Sequence, residues 1–339
     1  MRRSGRMETR KKRYLFTVAT LSVIVCSLLI TLPRCAPAKR DEIMIAANIA
    51  KTSLLLYVAD TRRLFEKNGL TATVTMHQSG PASLKELEDG RADVACVADF
   101  AFVAKSFKTG NLKVIGSLAR SVGAHIIARR DSGITKPADL VGKSVAIPKG
   151  TIAEFFLGAY CQRNGVPYQT LHIVYLPPAD MVEAIRKGTV NAVCLWSPFI
   201  EQIEGYLGED AVLLPSQGRT DYYLLLVTRD DVLKEKPVVV ERFLKTMIEA
   251  ETFVREHPDE AMQITAKETG LTLAQVRGRW PEEKYEVRMG QDLLTIMEAE
   301  ADWMVRNHLT TKKEMPNYLD MIYLKGLETV KPEAVGIIH

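Results

Sequence analysis

The chain has 339 residues, 47% of them hydrophobic and 25% charged, an ordinary soluble composition with room for two lobes. Its formal charge of +4 is unevenly spread: residues 1–40 hold ten Lys/Arg against Glu8 alone, which leaves 35 basic and 40 acidic residues in the remainder. A mildly acidic body without a basic stripe and interleaved aromatics excludes nucleic-acid binding.

Residues 1–38 have the layout of an export signal. A basic stretch up to Arg13 precedes an apolar run from Tyr14 to Leu32, and Ala36-Pro37-Ala38 then allows cleavage after Ala38. Cys35 offers a lipid anchor, although Arg34 stands where such signals place a small residue. The apolar run is also long enough for an uncleaved membrane tether. Each version puts the body in the periplasm or on the outer face of the cytoplasmic membrane. Beyond residue 40 the cysteines are Cys96, Cys161 and Cys194; an odd count without C-x-x-C specifies neither a disulfide framework nor a zinc site, so buried thiols are expected.

Along the body, Ile43 to Ala47 reads as a strand. The helix after it carries Leu54, Leu55, Val58, Leu64 and Phe65 on one side and stops at Asn68-Gly69. Thr71 to Met76, Ala92 to Ala98 and Lys113 to Leu118 are further strands, the first followed by a short helix ending near Gly90. His125 to Arg129 leads into a second unit. The strand from Ser144 passes through Pro148-Lys149-Gly150 to a helix start at Thr151, where Glu154 has the spacing of a capping box. Leu171 to Leu176 is a strand, the helix after Pro178 ends at Gly188, Asn191 to Trp196 is a strand, and Ser197-Pro198 opens another helix with proline at its first position. Tyr222 to Thr228 is a returning strand. The chain beyond Thr228 reads as helical, with Val239, Phe243, Met247, Ala250 and Val254 on one face and Leu293, Ile296, Met297 and Met304 on another.

An internal repeat organises these elements. An offset of 98 places Gly90 on Gly188, Asp93 on Asn191, Cys96 on Cys194 and Lys51 on Lys149. Two α/β lobes are therefore expected, residues 41–122 and 123–221, with 222–339 returning to the first lobe and adding helices. Ligands of open α/β sheets bind beyond the carboxyl ends of the strands, so a cleft between the lobes would be lined by those loops.

Several segments together resemble the periplasmic solute-binding proteins of the NitT/TauT class of ABC importers, the nitrate, sulfonate, taurine and thiamine-pyrimidine group. They are D-S-G-I-T-K-P-A-D-L-V-G-K-S-V-A-I-P-K-G-T (Asp131–Thr151), F-E-K-N-G-L (Phe65–Leu70), L-E-D-G-R-A-D-V (Leu87–Val94), P-P-A-D-M (Pro177–Met181), N-A-V-C-L-W-S-P (Asn191–Pro198) and Y-L-K-G-L-E (Tyr323–Glu328). The resemblance covers roughly residues 43–338. It implies a type II periplasmic-binding fold that closes on a small solute and passes it to a membrane permease.

Catalysis has little support in the residues. There is no G-x-S-x-G, H-E-x-x-H, G-x-x-x-x-G-K or G-x-G-x-x-G, the six histidines are scattered, and no metal or cofactor is expected. The cysteine-rich motif with histidine carried by family members that make the thiamine pyrimidine is also missing from the sequence. Candidate ligand-binding residues stand where strands give way to helices. Lys149, Gly150 and Thr151 offer backbone N–H groups and a cation to an oxyanion, with a plain helix cap as the structural alternative. Lys51 and Thr52 hold the equivalent turn of the first lobe. Gln78 and Ser79 end the second strand, Asp99 and Phe100 follow the third, Trp196 and Ser197 end the matching strand of the second lobe, and Tyr222 lies at the return crossing; Asp180, spaced to cap with Glu183, ranks below them. Two helix starts and two lysines favour an anionic group on the solute, while Asp99, Asp180 and the aromatics leave room for an amine or heterocycle. A monomeric, non-enzymatic binding protein for a sulfonate-, taurine- or nitrate-like solute is expected, working with an ABC permease. The alternatives are a protein that binds or makes a thiamine-pyrimidine-type heterocycle, and a membrane-tethered ligand sensor.

Overall fold

A computed structural model describes residues 40–122, 124–215 and 221–338. The expectations for residues 1–38, Cys35 included, lie outside the described residues. Among the described residues twelve strands run in chain order: β1 (Asp41–Asn48), β2 (Leu70–His77), β3 (Val94–Ala98), β4 (Leu112–Ser121), β5 (His125–Arg129), β6 (Ser144–Ile147), β7 (His172–Tyr175), β8 (Ala192–Leu195), β9 (Ala211–Leu213), β10 (Tyr222–Arg229), β11 (Glu283–Gly290) and β12 (Val335–Gly336).

They form two mixed sheets, ordered β12-β11-β4-β10-β3-β1-β2 and β7-β6-β8-β5-β9. The repeat is visible in the pairing. β1 runs parallel to both β2 and β3, and β10 lies antiparallel beyond β3. In the second sheet β6 runs parallel to β7 and β8, and β5 lies antiparallel beyond β8. The equivalence extends to single atoms. The Asp93 carboxylate accepts from the Met44 N–H at 2.9 Å, and the Asn191 amide oxygen accepts from the Ser144 N–H at 2.9 Å. Each side chain thus closes the first rung between a central strand and the strand beside it in the sheet. Gly90 and Gly188, which end the preceding helices, both take positive φ (74° and 71°), where a Cβ would be strained.

Between the helices and strands the interior is filled by buried apolar side chains. β3 and β8 are apolar runs buried on both faces, as strands covered by helices on either side must be. The helix Pro237–Glu256 buries Val239, Phe243, Met247, Ala250 and Val254 and packs on the helix Leu54–Thr61. Each of these Val, Phe and Met side chains contributes about 1.5–3 kcal/mol of transfer free energy. Cys96, Cys161 and Cys194 are free and buried. Among the described residues no helix is long and apolar enough to cross a membrane.

Four local expectations need correction. The helix expected to continue through Leu64 and Phe65 breaks at Arg63, whose φ of 55° separates Leu54–Thr61 from Leu64–Lys67. The region after Thr228 is not wholly helical: β11 pairs antiparallel with β4. Pro198 is the residue before the helix Phe199–Leu207 rather than its first residue, and the Ser197–Pro198 peptide is cis. The capping box at Thr151 takes another form, since Glu154 accepts from the Gly150 N–H at 2.8 Å while the Thr151 hydroxyl donates to the Pro148 carbonyl at 2.7 Å. The threonine turns back on the strand that precedes it instead of covering the helix start.

Candidate ligand-binding cleft

The carboxyl ends of β1, β3, β6 and β8 meet between the sheets. Asn48 at the end of β1, Ala98 at the end of β3, Thr151 and Ile152 after β6, and Trp196 after β8 enclose a cavity of about 20 Å³ with Tyr222 of β10. Trp196 and Tyr222 also wall a second chamber of about 10 Å³, whose other sides are Lys51, Thr52, Ser197, Glu282 and Glu283. Space of this size holds about one water molecule. The cleft is closed, and a solute can enter only if the two sheets part. Two long hydrogen bonds bridge it, from the Trp196 indole N–H to the Ile49 carbonyl at 3.4 Å and from the Ala179 N–H to Gln78 at 3.3 Å, and the shorter links are the ion pairs of Arg279 with Glu201 and Glu204.

The second chamber is built on a charge network that joins three parts of the chain. The Lys51 ammonium, 5% exposed, lies 3.2 Å from Glu282 and 3.3 Å from Glu283. Arg279 reaches across to the helix Phe199–Leu207, at 3.0 Å from Glu201 and 3.1 Å from Glu204, and also lies 3.4 Å from Glu282. His125 sits 3.6 Å from Glu282. Burial works against the Glu282 carboxylate, but the His125 hydrogen bond together with the Lys51 and Arg279 charges holds it down at about 2. Burial pushes the neighbouring Glu283 carboxyl above its ordinary value, against the pull of Lys51 and the Ser121 hydroxyl. Burial also raises the Tyr222 phenol, against the pull of the Thr52 and Ser121 side chains.

Seven of the twelve residues singled out in the sequence of the body stand at or beside these chambers or bridge the cleft: Lys51, Thr52, Thr151, Trp196, Ser197 and Tyr222 line them, and Gln78 bridges. Lys51 is not a free cation there, being matched by two carboxylates. The Ser197 hydroxyl donates to the buried Glu201 carboxylate. Lys149 and Gly150 face elsewhere, lining an outer groove of about 670 Å³ with Pro81, Lys105, Lys108 and Lys312. Exposed Lys149 sits 5.2 Å above the Tyr175 ring. Ser79 is half-buried at the start of the helix Gly80–Glu88 and makes no capping bond.

Asp99 and Phe100 belong to the core. Both Asp99 oxygens accept backbone N–H groups, from Phe100 at 2.9 Å and Tyr223 at 2.7 Å, and burial beside Glu300 raises both carboxyls. Phe100 stacks on Phe155 at 5.7 Å and meets Trp303 edge-on at 5.8 Å. Asp180 caps nothing, because the helix Pro178–Lys187 starts two residues before it.

The residues that sequence reasoning missed are Asn48, His125, Glu201, Arg279, Glu282 and Glu283. Glu283 opens β11 and Glu282 stands just before it, in a stretch read as helical. The alternation in Lys284-Tyr285-Glu286-Val287-Arg288-Met289 was a strand signal of period two that could have found them.

The same architecture is found in a solved protein of known class. The alkanesulfonate-binding protein SsuA from Xanthomonas axonopodis pv. citri bound to MOPS superposes with a TM-score of 0.74 at 20% identity, over 85% of this chain and 99% of that one. The fold is thus that of the periplasmic binding proteins: two α/β lobes with a cleft between them. The chain belongs to the NMT1/THI5-like family, whose model matches residues 51–261. A binding protein of Brucella abortus is 24% identical over 216 residues, and a Bacillus subtilis protein named for binding aliphatic sulfonates is 26% identical over 267 residues. The first alignment covers 62% of this chain and 66% of the relative, just under two thirds of its length; the second covers 77% and 80%.

Proposed function

We propose that this chain is an extracytoplasmic solute-binding protein that captures a small anionic or zwitterionic solute of the sulfonate, taurine or nitrate kind and delivers it to an ABC transporter permease. The observation that carries this reading is the closed cleft, with Trp196 and Tyr222 standing between two small chambers at the carboxyl ends of strands from both sheets. Residues 41–122 with 222–339 act as one lobe and 123–221 as the other, and the solute is taken as they part and re-close. Membership of a family whose named relatives are binding proteins supports the same reading. The cleft is suited to holding rather than transforming a ligand: of the two serines in the second chamber Ser197 donates to Glu201 and Ser121 stands against Glu283, and Cys96, Cys161 and Cys194 are buried in the packed lobes. The protein works as a monomer in the periplasm or on the outer face of the membrane.

The test is a titration of the full chain in detergent with taurine, ethanesulfonate, nitrate and an aminopyrimidine, read by tryptophan fluorescence and thermal shift. A dissociation constant near micromolar, about 8 kcal/mol, is expected for at least one of them, lost in Trp196→Ala. No binding by any of the four overturns the proposal. Chemical conversion of a bound solute, followed by mass spectrometry, would move the protein to the enzymes.

A further inference from the structure

The second chamber carries more hydrogen-bond acceptors than the protein can satisfy. Two cations, Lys51 and Arg279, face four carboxylates, Glu201, Glu204, Glu282 and Glu283. The Glu283 side chain is 3% exposed and lines the chamber, yet its Oε2 has no hydrogen-bond partner. Glu201, 2% exposed and tied through Ser197 to the chamber wall, likewise has an unpartnered Oε2. Across Trp196 and Tyr222, in the adjoining cavity, the buried Asn48 Oδ1 is unpartnered as well. Buried polar atoms are almost always paired, because leaving one unpaired costs its full desolvation. Three unpaired acceptors around one pair of chambers define a complement: a compact group with several N–H donors and positive charge.

We propose that this end of the cleft takes the ammonium or protonated amine of the solute, with Glu283 as its principal partner, so that the ligand is a zwitterion or amine and not a simple anion. This rests on the reading of the cleft as a solute site and narrows it. An ammonium supplies three donors and one positive charge, which pairs with Glu283 and leaves the Lys51–Glu282 contact in place. The bound cation favours the ionised form of Glu283, which burial alone disfavours. A sulfonate or nitrate at the same place would face the Glu282 and Glu283 carboxyls, with Lys51 and His125 already set against them.

Three probes of nearly equal size separate the possibilities on the full chain: taurine, isethionate (hydroxyl in place of the ammonium) and 2-aminoethanol (no sulfonate). Taurine should bind at least about tenfold more tightly than isethionate, the return expected of a charge-assisted hydrogen bond, and 2-aminoethanol should bind measurably. Glu283→Gln should erase the preference for taurine and leave isethionate unchanged. Isethionate binding as tightly as taurine in the unaltered chain overturns the proposal, as does failure of both amines or an unchanged preference in folded Glu283→Gln. If simple sulfonates or nitrate bind while the amines do not, solute capture stands and the ammonium site falls. If no probe of either charge binds, solute capture falls with it. The comparison of taurine with isethionate needs no variant, so the proposal is tested even if Glu283→Gln does not fold.

Discussion

Lys51 and Lys149 stand 98 residues apart at corresponding turns, each followed two residues later by a hydroxyl that folds back on its own strand. Ser53 donates to the Asn48 carbonyl at 2.7 Å, and Thr151 donates to the Pro148 carbonyl at 2.7 Å. Their surroundings then diverge. Over the first turn lies the segment Arg279–Tyr285: Lys51 is buried against Glu282 and Glu283, it donates to the Arg279 carbonyl at 3.4 Å, and the Tyr285 hydroxyl donates to the Lys51 carbonyl at 3.2 Å. The second turn has no such cover, and Lys149 rests in solvent above Tyr175. What a repeated turn does is decided by what the rest of the chain lays over it. In the first lobe the C-terminal third turns a lysine into the hub of the cleft's charge network.

The largest expected effect comes from removing that hub. Lys51→Met leaves Glu282 and Glu283 without their shared cation in a buried place, and breaking a buried pair from one side costs about 3–5 kcal/mol. Urea denaturation of the variant should show a loss of that order. A loss below about 1 kcal/mol would mean that the two turns are alike after all.

The two glutamates should respond to pH with opposite sign. Glu282 has a folded value of about 2 against an ordinary 4.5, so its contribution is fully present above about pH 4.5 and is lost as pH falls toward 2. Glu283 is raised, so its protonated form is the one the fold prefers; that contribution is present below pH 4.5 and fades as pH rises through the folded value. Glu282→Gln should therefore flatten the acid limb of a stability–pH curve. Glu283→Gln should gain stability relative to the unaltered chain as pH rises toward neutrality. Curves that move in the same direction would show that the pair does not divide its roles in this way.

How much of this was legible beforehand depended on the range of the interaction. The repeat, the parallel core strands and the amphipathic face of Pro237–Glu256 are written in local periodicity, and Trp196, Tyr222 and Thr52 stand at strand and turn positions that topology alone brings to a cleft. The partner of Lys51 was not legible, because Glu282 and Glu283 are more than 230 residues away and local periodicity, even where it marks β11 as a strand, does not say which turn that segment covers. Asp99 misled for a related reason. An acid at the end of a strand looks like a cap or a ligand, and only the return of β10 shows that its oxygens are taken by Tyr223 and Phe100.

A further substitution probes the second lobe where the C-terminal helices do touch it. Gly158, in the helix after the Lys149 turn, packs so closely on Trp303 of the helix Gln291–Arg306 that a Cβ would overlap the indole ring. Gly158→Ala gains about 1 kcal/mol of helix propensity but overpacks this contact, at a cost of about 1–3 kcal/mol. The expected result is a net loss of up to about 2 kcal/mol in chemical denaturation. A gain would show that Trp303 swings away freely and does not hold the second lobe in this position.

The smallest effect is expected at Lys149, and it is the most informative about the second turn. An exposed ammonium over an aromatic ring contributes about 0.5–1 kcal/mol, and surface substitutions usually change stability by no more than about 0.5 kcal/mol. Lys149→Ala should therefore leave the unfolding midpoint nearly where it was, several kcal/mol away from Lys51→Met. Stability alone says nothing about whether this lysine meets a solute, so the same variant belongs in the taurine and isethionate titrations. Lys149 lines the outer groove with Lys105, Lys108 and Lys312, outside the two inner chambers. If the solute stays in the chambers, Lys149→Ala weakens neither probe by more than about twofold at moderate salt, where exposed charges are screened. A selective loss of affinity for both sulfonates, with stability unchanged, would instead place their anionic end at the second turn, opposite the carboxylates that surround Lys51 at the first.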